Sequence, residues 1–261
     1  MIRAYHRPQT LDEALQLIAR SEPRTFPLGG GTVLTQPRPD PIEVVDLQAL
    51  ALNTIHQKGN ELEIGATATL ETLLESEYVT GVLKETIRRE APLNIRNMAT
   101  VAGTIVACDG RSPFVSALLA LDAKLTVLDG KPAKKSAAKE PAPNIGELLP
   151  LREQLRGKLI TIITIPLQVK FAYEAVARTP ADKPIVSAAL AQWPSGRTRL
   201  VIGGFSASPS LAMDGTESEG LETAARNACH EATDEWASAE YRQDAAATLA
   251  KRCADKIRAN L

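Results

Sequence analysis

The feature that most constrains this sequence is a run of three glycines, Gly29–Gly31, directly after the short extended segment Thr25–Leu28. Glycine permits positive φ angles and leaves no side chain between backbone N–H groups and a ligand. A glycine-rich turn after a strand can therefore form a concave nest of N–H donors for a phosphate, to which Thr32 would add a hydroxyl. Neither a Walker loop nor a Gly-x-Gly-x-x-Gly helix start is present. From the triplet alone, a tight surface turn is the more common use of such residues.

A second stretch of small residues, 93–109, has no helical period and is predicted to form buried loop and strand backbone. Within it, the segment Thr100–Thr104 would let the chain approach a flat ligand, with threonine hydroxyls available; the alternative is a tightly packed buried strand. Asp109, in a turn with Gly110, could accept a hydrogen bond from a ribose or flavin group, or could simply cap the turn.

The remaining pattern predicts an α+β fold. A capping box formed by Thr10 and Glu13 starts the first helix, and Ser112 with Pro113 starts a central one. Further helices are predicted at 70–74, at 79–90 and twice near the C-terminus. Strands are predicted at 25–28, 44–45, 62–64, 124–128, 159–165, 171–177, 185–192 and 197–202. Residues 203–215 read as a Gly/Ser/Pro connection, residues 130–144 read as a surface loop, and a domain boundary is expected near residue 167.

Composition excludes several classes of protein. Of the 261 residues, 44% are hydrophobic and 23% are charged, which is typical of a globular chain and not of a disordered one. Thirty basic residues balance 31 acidic residues, so no basic face for nucleic acid is expected. No apolar run approaches the roughly 20 residues of a membrane span, and the N-terminus lacks a signal-peptide core. Three cysteines without metal-ligand spacing favour a reducing cytoplasm.

Five segments, taken in order, carry a resemblance to a known family. They are Leu28–Leu34, Val44–Leu47, Leu62–Thr67, Ile95–Thr104 and Ser238–Arg242. The chain resembles the FAD-binding medium subunit of the molybdenum hydroxylases, the family of the carbon monoxide dehydrogenase and xanthine dehydrogenase flavoproteins. The ordered set of segments is far more specific than any one glycine cluster.

The resemblance implies a vanillyl-alcohol-oxidase-like FAD-binding domain over residues 1–167, built of two subdomains at about 1–55 and 56–167. A small α+β C-terminal domain would follow at 168–261. The glycine loop would bind the FAD diphosphate, and the second small-residue stretch would line the other side of the cofactor. The residues implied to contact FAD are Leu28, Gly29, Gly30, Gly31, Thr32, Val33, Leu34, Thr100, Ala102, Gly103, Thr104 and Asp109.

The same resemblance implies an electron-transfer function without a catalytic side chain or metal ligand in this chain. A molybdopterin-binding large subunit would oxidise the substrate. An iron–sulfur small subunit would then deliver electrons to the flavin, which would pass them to an acceptor. Because the flavin carries the redox chemistry, we expect the protein to orient and tune it.

An alternative hypothesis is a flavin-free scaffold subunit that keeps the fold. Four positions depart from the family pattern and motivate it. Val33 replaces an aspartate, Ala102 replaces a glycine, Thr104 replaces an asparagine, and Pro113 replaces an aspartate at a helix start. A stand-alone flavin oxidoreductase is a third, weaker hypothesis, because the C-terminal domain is short for a substrate pocket.

Overall fold

The structure is a computed structural model that describes residues 1–79, 81–130, 143–216 and 219–259. The chain divides into two compact units, each assembled from separate segments. Unit 1 comprises Met1–Ser76, Leu93–Ala107 and Lys124–Thr164, and unit 2 comprises the rest of the chain. Most of the predicted loop at 130–144 lies outside the described residues. The predicted domain and subdomain limits stay predictions.

A parallel three-stranded sheet forms the first part of unit 1. Its strands are β1 (Ile2–His6), β2 (Thr25–Leu28) and β3 (Ile42–Asp46), in the order β1-β3-β2. β2 pairs with β3 from Thr25 opposite Glu43 to Leu28 opposite Asp46. The carboxyl end of β2, where the glycines follow, therefore lies beside the end of β3.

Helix α1 (Leu11–Ile18) begins as predicted, because Thr10 Oγ1 accepts a hydrogen bond from the Glu13 amide at 3.3 Å. The Glu13 carboxylate accepts from the amide of Gln9 at 3.1 Å, one residue earlier than a closed capping box requires. The apolar face of α1 packs against the parallel sheet. The buried residues of this small core are Ala14, Leu15, Leu17, Ile18, Val45, Leu47 and Leu159.

A four-stranded sheet forms the second part of unit 1. Its strands are β4 (Ile55–Lys58), β5 (Glu61–Gly65), β6 (Lys124–Asp129) and β7 (Lys158–Pro166), in the order β4-β5-β7-β6. Four short helices accompany it: α2 (Leu70–Glu75), α4 (Leu93–Arg96), α5 (Val101–Ala107) and α7 (Ile145–Leu148). The predicted N-cap of α2 is confirmed, since Thr69 Oγ1 accepts from the Thr72 amide at 3.1 Å.

The prediction of loop and strand over 93–109 is wrong, because this stretch contains helices α4 and α5. Helix α5 has seven residues, of which only Val101 and Ile105 are buried. Two turns with one apolar pair are too short to display a helical period. The start of α5 is instead fixed by Thr100, whose Oγ1 accepts a hydrogen bond from the Gly103 amide at 3.2 Å.

Unit 2 is built on an antiparallel sheet. Its strands are β8 (Lys170–Val176), β9 (Val186–Gln192), β10 (Thr198–Gly203) and β11 (Ser210–Gly215), in the order β11-β10-β9-β8. Its helices are α3 (Gly81–Glu90), α6 (Pro113–Ala120), α8 (Leu221–Ala228) and α9 (Ala239–Ala259). The Gly/Ser/Pro connection predicted at 203–215 contains strand β11, which the sequence did not indicate because an edge strand rich in small residues carries little strand signal.

Helix α6 and the central strand β9 form the middle of unit 2. Every residue of α6 is buried, which agrees with its apolar sequence, and Ser112 caps it as predicted. Ala188 and Leu190 of β9 belong to the core cluster that includes α9, so the alternate residues face the other side of the sheet. Among the described residues, no helix is long and apolar enough to span a membrane.

Candidate cofactor-binding site

The glycine loop of unit 1 packs against the backbone just before α5. A Cβ built on Gly30 would lie 1.5 Å from the carbonyl oxygen of Met98, and one built on Gly29 would lie 2.6 Å from Thr100 Oγ1. Gly31 has a φ of 74°, which also favours glycine. The three glycines are thus required by close approach and by backbone conformation, and the two predicted segments lie together.

The backbone amides of this loop are free. In the hydrogen bonds of the described residues, no N–H group from Gly29 to Leu34 donates to another protein group. The carbonyls of Gly31, Thr32 and Val33, by contrast, accept hydrogen bonds: Gly31 O accepts from the Thr35 amide at 3.2 Å and from Thr35 Oγ1 at 2.6 Å. A loop whose N–H donors are open can bind an anion.

A cavity of about 560 Å³ lies beside these amides. Gly29–Leu34 line it, together with Thr100, Ala102 and Gly103. Its volume falls in the range of pockets that hold organic cofactors. A second cavity of about 430 Å³ shares Gly29, Gly30, Thr67 and Thr100 with the first, and its other lining residues are Gln48, Asn53, Thr69, Asn97 and Met98. The glycine loop and Thr100 therefore stand where two adjoining spaces meet, which suits an elongated ligand.

Nine of the twelve implied contact residues line at least one of these cavities, and three do not. Leu28 is the last residue of β2 and lines neither cavity. Thr104 also lines neither, and its hydroxyl donates to the carbonyl of Thr100 at 2.9 Å within α5. Asp109 belongs to unit 2, where its carboxylate accepts from the Arg111 amide and pairs with Lys183 Nζ, each at 3.0 Å.

The sequence reasoning missed one wall of the larger cavity, formed by residues 152–160. This segment contains no recognisable sequence motif. It reaches the cavity because it leads into β7, which lies between β5 and β6 in the second sheet. The neighbouring wall at Ala66 and Thr67 belongs to the segment Leu62–Thr67, which carries part of the family resemblance. It is held in place by hydrogen bonds from the amides of Ala102 to Ala66 O at 3.2 Å and of Val101 to Ala68 O at 2.9 Å.

The four departures from the family pattern have different surroundings. Val33 and Ala102 line the larger cavity, and Val33 is 45% exposed. Pro113 is buried at the first position of α6 in unit 2, where it suits the helix start. The Glu90 carboxylate accepts there from Ser112 Oγ at 2.7 Å and from the Phe114 amide at 3.0 Å. Glu90 thus supplies a carboxylate at this helix start from another segment.

The C-terminal motif segment Ser238–Arg242 is a packing element of unit 2. Arg242 is fully buried at the first turns of α9. Its guanidinium donates to the carbonyls of Ile185 at 3.2 Å, of Ala232, and of Ala237 at 3.3 Å, and to Asp234 Oδ1 at 2.7 Å. Burial alone would raise the pKa of Asp234, but hydrogen bonds from Arg242 and two amides hold it below its ordinary value.

Comparison with known proteins agrees with this fold and identifies the family. The family model for the FAD binding domain in molybdopterin dehydrogenase matches residues 1–168, more than half of the chain. The chain therefore belongs to this family of oxidoreductases, and its cofactor is FAD. The family, cofactor and reaction class predicted from the sequence are confirmed.

Two relatives and one solved structure show the extent of the likeness. The protein YgfM of Escherichia coli K12 is 28% identical over 228 residues, covering 85% of this chain and 82% of YgfM. The carbon monoxide dehydrogenase medium chain of Afipia carboxidovorans is 27% identical over 203 residues, covering 74% of this chain and 69% of that one. The structure of quinoline 2-oxidoreductase from Pseudomonas putida 86 superposes with a TM-score of 0.76 at 19% identity, covering 97% and 96% of the two chains, and so shows a shared mixed α/β fold.

Proposed function

We propose that this chain is the electron-transfer subunit of a molybdenum hydroxylase complex. It would receive electrons from an iron–sulfur small subunit and pass them through FAD to an acceptor, while a molybdopterin-binding large subunit oxidises the substrate. Membership of the family and the likeness to a protein named a medium chain support this proposal. The structural observation that carries it is the row of free amides from Gly29 to Leu34 beside a cofactor-sized cavity.

The residues present fit a dinucleotide. The amides of the glycine loop and the hydroxyl of Thr32 would hold the diphosphate, and hydrogen bonds to such a charged group contribute about 1.5–3 kcal/mol each. Thr100, Ala102 and Gly103 would line the other side of the cofactor. The redox chemistry is supplied by the bound flavin, and this chain binds and orients it. A vanillyl-alcohol-oxidase-like arrangement of subdomains, with a C-terminal domain from residue 168, is part of the proposal.

The decisive experiment for cofactor binding is a visible spectrum of the purified chain, followed by calorimetric titration of the flavin-stripped protein with FAD. We expect a yellow protein whose apoprotein binds FAD with a stoichiometry of one. A colourless protein that cannot be reconstituted would overturn the assignment of the site.

The electron route requires a second experiment. The chain is co-expressed with candidate iron–sulfur and molybdopterin partners, and the assembled complex is purified by a tag on this chain. We expect reduction of the flavin when the complex receives its substrate, and none when the isolated chain does. A complex that assembles but leaves the flavin oxidised would contradict the electron-transfer function while leaving FAD binding intact.

The placement of Val33 and Ala102 on the cavity gives the flavin-free scaffold a specific test. The double variant Val33→Asp/Ala102→Gly restores the family pattern at both positions. If the natural chain binds FAD as tightly as this variant, the scaffold hypothesis is rejected. If only the variant binds FAD, the scaffold hypothesis replaces the proposal.

A further inference from the structure

The larger cavity carries a strong imbalance of charge at one end. Four of its lining residues are exposed cations without an ionic partner in the described part of the chain. They are Arg20, Arg24, Arg156 and Lys158. The lining also includes Arg152, whose guanidinium donates to the carbonyl of Val106 at 3.3 Å, and a single carboxylate, Glu153.

The fold gathers these four cations from three segments. Arg20 follows the end of α1, and Arg24 precedes β2. The turn that carries Arg156 and Lys158 packs on the end of α1. The close approach is shown by the distance of 3.6 Å from a Cβ built on Gly157 to the Cα of Ala19. None of the four has an ion-pair partner among the described residues, and Glu153 is the one carboxylate among the described lining residues, so a net positive field extends into the cavity and the surrounding solvent.

The cations stand at the opposite end of β2 from the glycine loop. Four residues of extended chain lie between Arg24 and Gly29, and the five steps from one to the other correspond to about 16 Å at the usual rise of a β-strand. Charges in solvent are largely screened beyond about 8 Å at physiological ionic strength. A diphosphate held by the glycine loop would therefore gain little from these cations once it is bound.

Cations that line a concave surface attract an anion while it is still approaching through solvent. Such clefts raise association rates by about 10- to 1,000-fold, and the effect falls steeply with salt. We infer that Arg20, Arg24, Arg156 and Lys158 form an electrostatic entrance that draws anionic FAD into the cavity and sets its association rate. The amides of the glycine loop then determine how long FAD stays. This inference rests on the proposed FAD site.

The test is stopped-flow mixing of the flavin-stripped full chain with FAD, followed by flavin fluorescence over a range of salt concentrations. The variant is Arg24→Gln/Arg156→Gln. The matched control is Arg3→Gln/Arg252→Gln, which removes the same charge from two exposed positions away from the cavity lining. Riboflavin, which has no phosphate, serves as the uncharged probe.

We expect the cavity variant to associate with FAD about tenfold more slowly at low salt, with a dissociation rate changed less than about twofold. The difference should disappear at high salt, and neither riboflavin binding nor the control variant should show it. Equal association rates for the natural chain and the cavity variant at low salt would overturn the inference alone, as would a change confined to dissociation. Failure of the natural chain to bind FAD at any salt concentration would overturn the proposed site and this inference with it.

Discussion

Two short sequence motifs, the glycine loop of unit 1 and the segment Ser238–Arg242 of unit 2, use their polar groups in opposite ways. In the glycine loop, the carbonyls of residues 31–33 accept hydrogen bonds, and the amides from Gly29 to Leu34 donate to no group among the described residues. Around Arg242, three backbone carbonyls accept from a guanidinium that is itself fully buried.

This difference shows how a motif that binds a ligand can be distinguished from a motif that packs the fold. N–H groups that donate to no protein group and lie beside a cavity can bind a ligand. N–H groups that already donate to buried carbonyls within the protein stabilise its fold instead. Both motifs are equally visible in the sequence, so only their surroundings in the structure distinguish them. The variants below test that distinction.

The largest expected effect is that of Arg242→Ala. Truncation leaves the carbonyls of Ile185, Ala232 and Ala237 without this donor, and each buried polar group left unsatisfied costs about 1–3 kcal/mol of unfolding free energy. Urea denaturation measures this loss. Arg252→Ala, on the exposed face of the same helix, should change stability by less than about 0.5 kcal/mol. A stable Arg242→Ala protein that had lost FAD would reverse the comparison.

Gly30→Ala should weaken FAD binding more than it weakens the fold. The added methyl meets the Met98 carbonyl at 1.5 Å, so the loop must move and its amides shift from their positions beside the cavity. We expect at least a tenfold loss of affinity, or about 1.4 kcal/mol, by calorimetric titration. The control is Gly81→Ala, where a Cβ meets nothing within 4 Å. Unchanged affinity in Gly30→Ala would show that the loop does not hold the cofactor.

Thr100→Val should cost about 1 kcal/mol of unfolding free energy, since it removes the hydroxyl that accepts from the Gly103 amide at the start of α5. Thr100→Ser keeps that oxygen and should recover most of the loss in thermal or urea unfolding. If Thr100→Val were as stable as the natural chain, the hydroxyl would not be what stabilises the start of α5.

The smallest effect concerns Glu90 and depends on pH. Burial raises the pKa of Glu90 above its ordinary value of 4.5, so the folded protein binds a proton that the unfolded chain releases. This contribution is fully present below pH 4.5 and is lost as the pH rises through the folded-state pKa. Glu90→Gln can still accept from Ser112 and Phe114, and we expect its stability relative to the natural chain to increase over that range.

Urea unfolding at a series of pH values measures this difference. Glu240→Gln, at an exposed carboxylate, controls for the loss of one charge. If the stability of Glu90→Gln relative to the natural chain fell with rising pH, the pKa of Glu90 would be lowered by folding rather than raised.

The sequence predicted those parts of the fold that have local causes. The starts of α1, α2 and α6 follow from capping side chains, and the glycine loop follows from residues that no side chain could replace. Helix α5 and strand β11 were missed because they are short, small-residue elements stabilised by neighbours rather than by periodicity.

The site was predictable to a similar degree. The glycine loop and the residues before and within α5 came from motifs. The cations at Arg20, Arg156 and Lys158 have no local signature, because they meet only when the turn at Gly157 packs on the end of α1. Likewise, nothing in the sequence shows that the hydroxyl of Thr104 is already bonded to the carbonyl of Thr100.

The interleaving of the two units has a consequence for how this protein can be divided. A fragment ending at residue 168 would keep α3 and α6 but lose strands β8–β11, on which α6 is buried. Its all-apolar helix would then face water and promote aggregation. The region that matches the FAD-binding family therefore does not coincide with either compact unit of this chain, and a truncation at that point should yield an insoluble protein.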